Sequence, residues 1–207
     1  AAEPWLGDHG RYVGLDVSAA DIAFCRRQYR GQQFEFVHLP IYNEQYAAGQ
    51  ARERVRWPLP DAEFDMVTAL SVWTHLNEQD AVFYFKEINR VLRPGGRALI
   101  TFFVLDEAYR QSLPQRKERQ ARYHTTDKRW WVFDRVCSDS GEWACPTWAT
   151  CPEVATGVTP RALEMLTKDT ALRLTATYPG TWKEIAGVYF QDVLLFKKRA
   201  NGGDERP

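Results

Sequence analysis

A near-continuous apolar run, FDMVTAL (Phe64–Leu70), constrains the fold of this chain more than any other feature. A strand with apolar residues on both faces is typical of a sheet that is covered on both sides. NEQDAVFYFKEINRVL follows it with one helical apolar stripe and with Asn77 as a predicted N-cap. RALITFFVL then predicts a further strand, after the helix breaker RPGG. This alternation predicts an α/β fold with parallel pairing.

The same rhythm is present before and after this central region. RYVGLDVSAAD predicts a short strand that ends at Asp16 and a helix from about Ala19 to Arg30, with Ser18 as its N-cap. FEFVHL predicts the next strand. Near the end of the chain, TPRALEMLTK predicts a helix capped by Thr159. Two strands, LRLTATY and YFQDVLLFKK, follow it and are joined by a turn around Pro179 and Gly180.

Length and composition bound the possible functions. The 207 residues predict one domain over 1–199, with a polar, disordered tail over 200–207. Lys plus Arg and Asp plus Glu number 27 each, so net charge gives no reason to expect a polyanionic partner. The longest apolar run, Ala98 to Leu105, is too short to cross a bilayer. The four cysteines lack metal-ligand spacing, which favours reduced thiols in the cytoplasm over a zinc site and predicts no metal.

Asp16 is the first candidate functional residue. Ligands of open α/β sheets bind at the carboxyl ends of the strands, and an Asp there can accept both hydroxyls of a ribose. The alternative is that Asp16 only interacts with backbone N–H groups at the start of the following helix.

Two motifs give a more specific indication. FDMVTALSVWTHL, followed by EINRVLRPGGRALITFF, resembles the class I S-adenosylmethionine-dependent methyltransferases. SVWTHL and PGTWKEIAGVYFQD further resemble one branch of that family. The resemblance implies a Rossmann-like, mostly parallel sheet that ends in an antiparallel strand pair, with S-adenosylmethionine as cofactor. It also implies that Asp16 binds the ribose, that Val17 lies against the adenine, and that Ser71 lies near the methionine part. After the third strand the sequence departs from the family, because relatives often carry an acid there for the adenine amino group, whereas Ile41 can pack against the adenine.

The sequence departs from the family pattern at its start. The first strand and the glycine-rich loop, D-x-G-x-G-x-G, are missing, and we expect roughly thirty to forty residues before Ala1, the size of a strand–helix unit. We also expect a vacancy in one common sheet, between the strand ending at Asp16 and the strand Phe64–Leu70. The alternative is a non-catalytic relative, a binding module that has lost the cofactor loop.

The acceptor side of the reaction depends on two less specific features. His75 could remove a proton from a hydroxyl or amine acceptor, or it could only order the loop before the next helix. The unpatterned insertion 106–153 contains seven basic residues against two acids over 110–129, with Trp130 and Trp131 beside them. This insertion could be a solvated helix with aromatic core residues, a lid over a small acceptor, or a single-stranded nucleic-acid surface. We expect a lid, the least ordered part of the domain, over a sugar-like or anionic small molecule.

Overall fold

The computed structural model of the chain describes residues 6–7, 9–41 and 53–200. They fall into two compact units, Ala1–Trp57 and Pro58–Pro207, and the strands of the two units form separate hydrogen-bonded sheets. Apart from Ala200, the predicted disordered tail lies outside the described residues.

The first unit is a single strand–helix–strand element. It contains β1 (Tyr12–Asp16), α1 (Ala19–Gln28) and β2 (Phe34–His38), and its two strands pair in parallel. The predicted cap of α1 is confirmed, because the side chain of Ser18 accepts a hydrogen bond from the N–H of Asp21 at 3.2 Å. Gly14 permits the close packing of β1 on β2, since a Cβ there would lie 2.8 Å from a ring carbon of Phe36.

The second unit contains the remaining strands and helices. They are β3 (Phe64–Ala69), α2 (Glu78–Val91), β4 (Leu92–Val104), α3 (Glu107–Ser112), β5 (Arg135–Val136), β6 (Trp143–Cys145), β7 (Gly157–Val158), α4 (Pro160–Lys168), β8 (Leu172–Tyr178) and β9 (Asp192–Lys198).

The two longer helices in this unit are capped by the residues that the sequence predicts. The side chain of Asn77 accepts from the N–H of Asp80 at 3.0 Å, and that of Thr159 accepts from the N–H of Ala162 at 3.3 Å. The RPGG segment differs from expectation, because α2 passes directly into β4 and RPGG lies within that strand. Gly95, with φ of 81°, stands at the register shift between β3 and β4. These glycines therefore allow an irregular strand start, and they do not form a separate turn.

The sheet of the second unit is mixed. Its strand order is β5-β6-β7-β4-β9-β8, and β3 also pairs with β4. The expected antiparallel pair of final strands is confirmed as β8 and β9. The expectation of a mostly parallel sheet is wrong, because four of the seven pairs in the described residues are antiparallel. Two of those four arise from β5 and β6, strands contributed by the insertion.

The expectation of a common sheet with a vacancy is not tested by the described residues. Among them β1 is hydrogen-bonded only to β2, while β3 pairs with β4. The missing first strand and the vacancy beside it stay predictions, since no described contact tests them.

The insertion 106–153 is partly built into the core, contrary to the expectation of a poorly ordered segment. Phe133 and Ala144 belong to one buried cluster together with Phe103, Leu105, Tyr109, Ala155 and Trp182. Trp131 packs partly buried against this cluster, whereas Trp130 remains 53% exposed. Of these two adjacent tryptophans, only Trp131 is therefore covered by the core.

Candidate active site

The predicted ribose-binding residue, Asp16, lies at the carboxyl end of β1, directly beside the end of β2. Its carbonyl oxygen accepts a hydrogen bond from Leu39 N–H at 2.8 Å, which continues the pairing beyond the strands. Its side chain is exposed, and Oδ1 accepts from the N–H of Ser18 at 2.8 Å. Oδ2 has no hydrogen-bond partner within the described part of the chain. The carboxylate therefore interacts with a backbone N–H at the start of the helix, which was the alternative to ribose binding. Its second oxygen is still available for a hydroxyl ligand.

Val17 and Ile41, the predicted adenine contacts, belong to the same strand ends. Nε2 of His38 lies 3.2 Å from the carbonyl oxygen of Val17, which links the end of β2 to the residue after β1. Ile41 is only 7% exposed, and its N–H bonds to the carbonyl of Leu39 at 2.8 Å. The sequence analysis did not predict this role for His38, although its position at the end of the second predicted strand could have indicated it.

Ser71 belongs to a polar network in the second unit, here called the Gln191 network. Its backbone lies in the left-handed region, with φ of 56°, and its N–H donates to Thr101 Oγ1 at 2.8 Å. The hydroxyls of Ser71 and Thr101 both donate to Gln191 Oε1, at 3.0 and 2.6 Å. A left-handed conformation is costly for a residue with a Cβ and persists where its surroundings fix it. The network therefore holds the chain in a fixed, strained turn after β3.

His75 forms the end of a short 3-10 turn, Trp73–His75, two residues before Asn77, the cap of α2. Its Nδ1 lies 2.8 Å from the carbonyl oxygen of Glu153, so Nδ1 carries the proton and donates it to that oxygen. The backbone of Thr156 also bonds here, donating to the carbonyl of Thr74 at 2.8 Å. These contacts tie the turn to the end of the insertion, which is the ordering role that the sequence left open for His75.

The connection between β8 and β9 is longer than the predicted short turn, and a buried carboxylate organises it. Asp192 is fully buried and accepts hydrogen bonds from four donors, two on each oxygen. The donors are the N–H groups of Gly180 at 2.8 Å and Val104 at 2.8 Å, Trp182 Nε1 at 3.1 Å and Lys183 Nζ at 2.9 Å. This arrangement explains three residues of the PGTWKEIAGVYFQD motif, because Gly180, Trp182 and Asp192 belong to one buried polar cluster. The Gln191 of the motif belongs to the Gln191 network instead.

The basic segment is not a solvated helix throughout. Arg116 is 4% exposed, and its guanidinium donates to Ser112 Oγ and to the carbonyls of Lys128 and Trp182, the last at 2.6 Å. Burial lowers the pKa of Arg116. Lys128 is 5% exposed as well. Two of the seven basic side chains are therefore buried, and one of them, Arg116, bonds the insertion to the Trp182 turn.

Sequence reasoning assigned no role to His124, yet the structure surrounds it with polar groups. Its Nδ1 lies 3.0 Å from Thr126 Oγ1, and its Nε2 lies 2.9 Å from Oε1 of Glu184. An open cavity of about 870 Å³ is lined by residues of the 119–130 segment, among them His124, Thr126 and Trp130. Burial lowers the pKa of His124, against the opposing effect of the Glu184 carboxylate. The side chain of this histidine is therefore mainly neutral at pH 7.

Two searches of the described residues bear on other classes of function. Among them no helix is long and apolar enough to cross a membrane. No group of three or more His, Cys, Asp or Glu side chains within these residues could hold a metal ion.

Comparison with known proteins gives two matches by sequence. A family model described as "Methyltransferase domain" matches residues 1–100. A fatty-acid O-methyltransferase of Mycolicibacterium smegmatis is 38% identical over 90 residues, which cover 44% of this chain and 27% of that protein. The aligned stretch is thus about a quarter of the relative's length. Over about the first half of its length, the chain is thus similar to methyltransferase domains.

Solved structures support the fold. An S-adenosylmethionine-dependent methyltransferase from Methanosarcina mazei has a TM-score of 0.50 at 16% identity, covering 91% of this chain and 82% of that one. The 1,6-didemethyltoxoflavin-N1-methyltransferase of Burkholderia thailandensis, with S-adenosylhomocysteine bound, has a TM-score of 0.51 at 14% identity, covering 97% and 66%. Such low identities show the fold alone. The expected cofactor, S-adenosylmethionine, is the one named for the Methanosarcina mazei protein.

The position of Asp16 fits the ribose of that cofactor. Asp16 combines exposure, a strand-end position and an unengaged carboxylate oxygen, which is the chemistry that a ribose diol requires. The matched residues 1–100 include Asp16, Val17, Ile41, Ser71 and His75.

Proposed function

We propose that this chain is an S-adenosylmethionine-dependent methyltransferase that acts on a small, sugar-like or anionic acceptor in the cytoplasm. The observation that carries the proposal is the Asp16 carboxylate, which extends from the carboxyl end of a parallel strand with Oδ2 available for a hydroxyl. The family model that spans this position supports the same assignment.

Four residues are assigned to the cofactor. Asp16 accepts hydrogen bonds from the ribose hydroxyls, while Val17 and Ile41 lie against the adenine. Ser71 contacts the methionine part, and its fixed turn supports this role, because Gln191 and Thr101 hold the Ser71 hydroxyl and N–H in one geometry.

The cofactor supplies, when bound, an electrophilic methyl group on a sulfonium centre. The chain must then align the acceptor with it, and proximity and orientation account for most of the acceleration in a direct displacement. We assign His75 mainly to ordering, because its bond to Glu153 fixes the turn before α2. A direct role for His75 as proton acceptor remains the second possibility, and a His75→Asn variant measured for acceptor turnover distinguishes the two.

The insertion 106–153 is assigned to the acceptor side of a single domain spanning 1–199. Its buried part, around Phe133 and Ala144, anchors it in the core, and the exposed residues around the 870 Å³ cavity form the lid. A small molecule fits this cavity better than a nucleic acid does, because two of the basic side chains are turned inward.

Calorimetric titration of S-adenosylhomocysteine into the full-length product of the gene tests the proposal. Asp16→Ala should weaken binding by about 1.5–3 kcal/mol, the range for hydrogen bonds to a charged group. Asp21→Ala is the matched control, since Asp21 is an exposed acid in the first turn of α1, and its affinity should equal that of the wild type. An unchanged dissociation constant for Asp16→Ala would remove the ribose assignment.

The same titration separates the enzyme from the non-catalytic alternative. A full-length product that binds no S-adenosylhomocysteine at millimolar concentration is a binding module with the same fold. Binding together with methyl transfer to any small acceptor establishes the enzyme.

A further inference from the structure

Three side chains, Thr126, His124 and Glu184, form a continuous chain of polar contacts, here called the His124 relay. Thr126 Oγ1 lies 3.0 Å from His124 Nδ1, and His124 Nε2 lies 2.9 Å from Glu184 Oε1. A hydroxyl, an imidazole and a carboxylate in this order have the connectivity by which proteins activate a hydroxyl group. Thr126 and His124 also line the 870 Å³ cavity, so the relay ends at an open space.

The direction of the relay follows from its donors and acceptors. Because Nε2 faces a carboxylate, the proton of neutral His124 belongs on Nε2, and Nδ1 is left as an acceptor. Thr126 then donates its hydroxyl proton to Nδ1. Trp131 Nε1 donates to Thr126 Oγ1 at 2.8 Å and uses one of its two lone pairs. One lone pair of Thr126 remains for a hydroxyl or N–H of a bound molecule.

Two features of the relay, its unsatisfied buried atoms and its backbone strain, are not explained by packing in the core. His124 Nε2 and Glu184 Oε1 are in contact but out of line, so both atoms are buried without a hydrogen-bond partner among the described residues. Glu184 also has φ of 61°, a conformation that is costly for any residue with a Cβ. Such strain gathers at functional sites, and catalytic hydrogen bonds often align only when the substrate is bound.

The relay also connects with the predicted donor-side residue Ser71. The ring of His124 packs edge-on against Phe190, with their centroids 5.2 Å apart. Phe190 precedes Gln191, whose Oε1 accepts the hydroxyl of Ser71 at 3.0 Å. One connection of the chain, between β8 and β9, thus contributes Glu184 to the relay, Phe190 to the packing of the His124 ring, and Gln191 to the Ser71 turn.

We propose that the His124 relay takes up the proton of the methyl acceptor, and that the acceptor is a planar aromatic molecule whose hydroxyl must be deprotonated. The planar class follows from Trp130, whose indole lines the cavity and is 53% exposed, offering a face for stacking. This inference rests on the proposed methyltransferase function, and it replaces the sugar-like or anionic acceptor proposed there by a planar aromatic one.

The proposed step balances without a further reactant. The acceptor oxygen forms its bond to the methyl carbon as the carbon–sulfur bond breaks, and the electron pair of that bond neutralises the sulfonium. The acceptor proton passes to Thr126 Oγ1, and the former Thr126 proton passes to His124 Nδ1. The resulting imidazolium faces the Glu184 carboxylate, and the proton later leaves to solvent.

The charges around His124 agree with its proposed role as a proton acceptor. Glu184 favours the imidazolium and Arg116 opposes it, while burial keeps the resting imidazole neutral. At the cavity wall, Asp127 is paired with the guanidinium groups of Arg129 and Arg119, so its charge is compensated. His124 is therefore ready to accept a proton at pH 7.

Two probes with the same ring system test the inference in the full-length protein. 2-Naphthol must lose a proton on methylation, whereas 2-naphthoate is already ionised at pH 7. Thr126→Val should lower kcat for 2-naphthol by about 100-fold or more, the range for general acid–base catalysis, and should change kcat for 2-naphthoate less than threefold. Thr126→Ser should restore the activity toward 2-naphthol. Equal losses with both probes, or no loss with 2-naphthol, would overturn the proposal.

A measurement without turnover keeps the test independent of the proposed function. Saturating 2-naphthol should shift the ring resonances of His124 in a carbon-detected NMR titration and change its pKa, and Thr126→Val should abolish both effects. A His124 signal that is indifferent to 2-naphthol overturns the relay even if methyl transfer occurs. If neither probe is methylated but the signal responds, the relay stands and the proposed function fails.

Discussion

Substituting Gly180 by alanine tests the view that the β8–β9 connection holds the second unit together. A Cβ at this position would lie 2.4 Å from both the carbonyl carbon of Gln191 and the carbonyl oxygen of Phe190. It would also lie 2.7 Å from the N atom of Asp192. All three are backbone atoms, so no side-chain rotation relieves the overlap, and the two arms of the connection must move apart.

The size of the effect follows from two contributions. Overpacking in a well-packed region costs about 1–3 kcal/mol, and the upper end applies because backbone has to shift. The movement also lengthens the 2.8 Å bond from Gly180 N–H to the buried Asp192 carboxylate, worth about 1 kcal/mol. We therefore expect Gly180→Ala to lower the free energy of unfolding by about 3–4 kcal/mol, a large part of the stability of an ordinary domain.

Urea unfolding followed by tryptophan fluorescence measures this change, because Trp182 lies beside the site and is fully buried. Gly141→Ala is the matched control: φ is 81°, and a Cβ there would meet nothing within 4 Å. Only the left-handed backbone is penalised in the control, at about 1–2 kcal/mol. If Gly180→Ala cost no more than Gly141→Ala, close approach of the backbone would not be the reason for glycine at this position.

Three further outcomes are expected. Arg116→Lys should destabilise the fold by about 1.5–3 kcal/mol in urea unfolding although the charge is kept, because an ammonium cannot reach Ser112 and the Trp182 carbonyl together; a change below 0.5 kcal/mol would contradict this. The pKa of His124 is lowered from its ordinary 6.5, so the unfolded chain binds its proton first, and stability should fall as pH drops from 6.5 through the folded pKa. His124→Gln should flatten that part of the pH profile, and an unchanged slope would refute the assignment. Burial raises the pKa of the Cys137 thiol to about 12, so iodoacetamide at pH 8 should leave it unmodified in the folded protein and label it in urea, as read by peptide mass spectrometry.

Local features of the fold could be predicted from the sequence because they depend on near neighbours. The caps at Ser18, Asn77 and Thr159 require only a side-chain oxygen and the N–H three residues later. The pairing of the last two strands was likewise predictable, from the family motifs around them. β5 and β7 were not, because strands of two residues have no periodicity and form only where neighbouring chain presents an edge.

The residues of the candidate site likewise divide into those that the local sequence predicts and those that depend on distant partners. Asp16 was predictable, since an acid that ends a buried strand and precedes a cap has a recognisable position. Arg116 was counted as surface charge, because nothing within its own segment shows that Trp182, 66 residues away, supplies a carbonyl for its guanidinium. The pairing of His124 with Glu184 is equally non-local, and neither residue is part of a motif that would indicate it.

The β8–β9 connection explains why these distant residues come together. Along it Lys183 binds Asp106 at the start of the insertion, Glu184 accepts from the N–H of Arg122 at 3.0 Å within the insertion, and Gln191 holds the Ser71 turn. A single stretch thus fixes the lid segment and the turn after β3 against one another. Because Asp192 anchors that stretch through buried donors, a displacement at either end must be accommodated at the other. We therefore expect acceptor binding under the lid to shift the position of Ser71, without any contact between the acceptor and that residue.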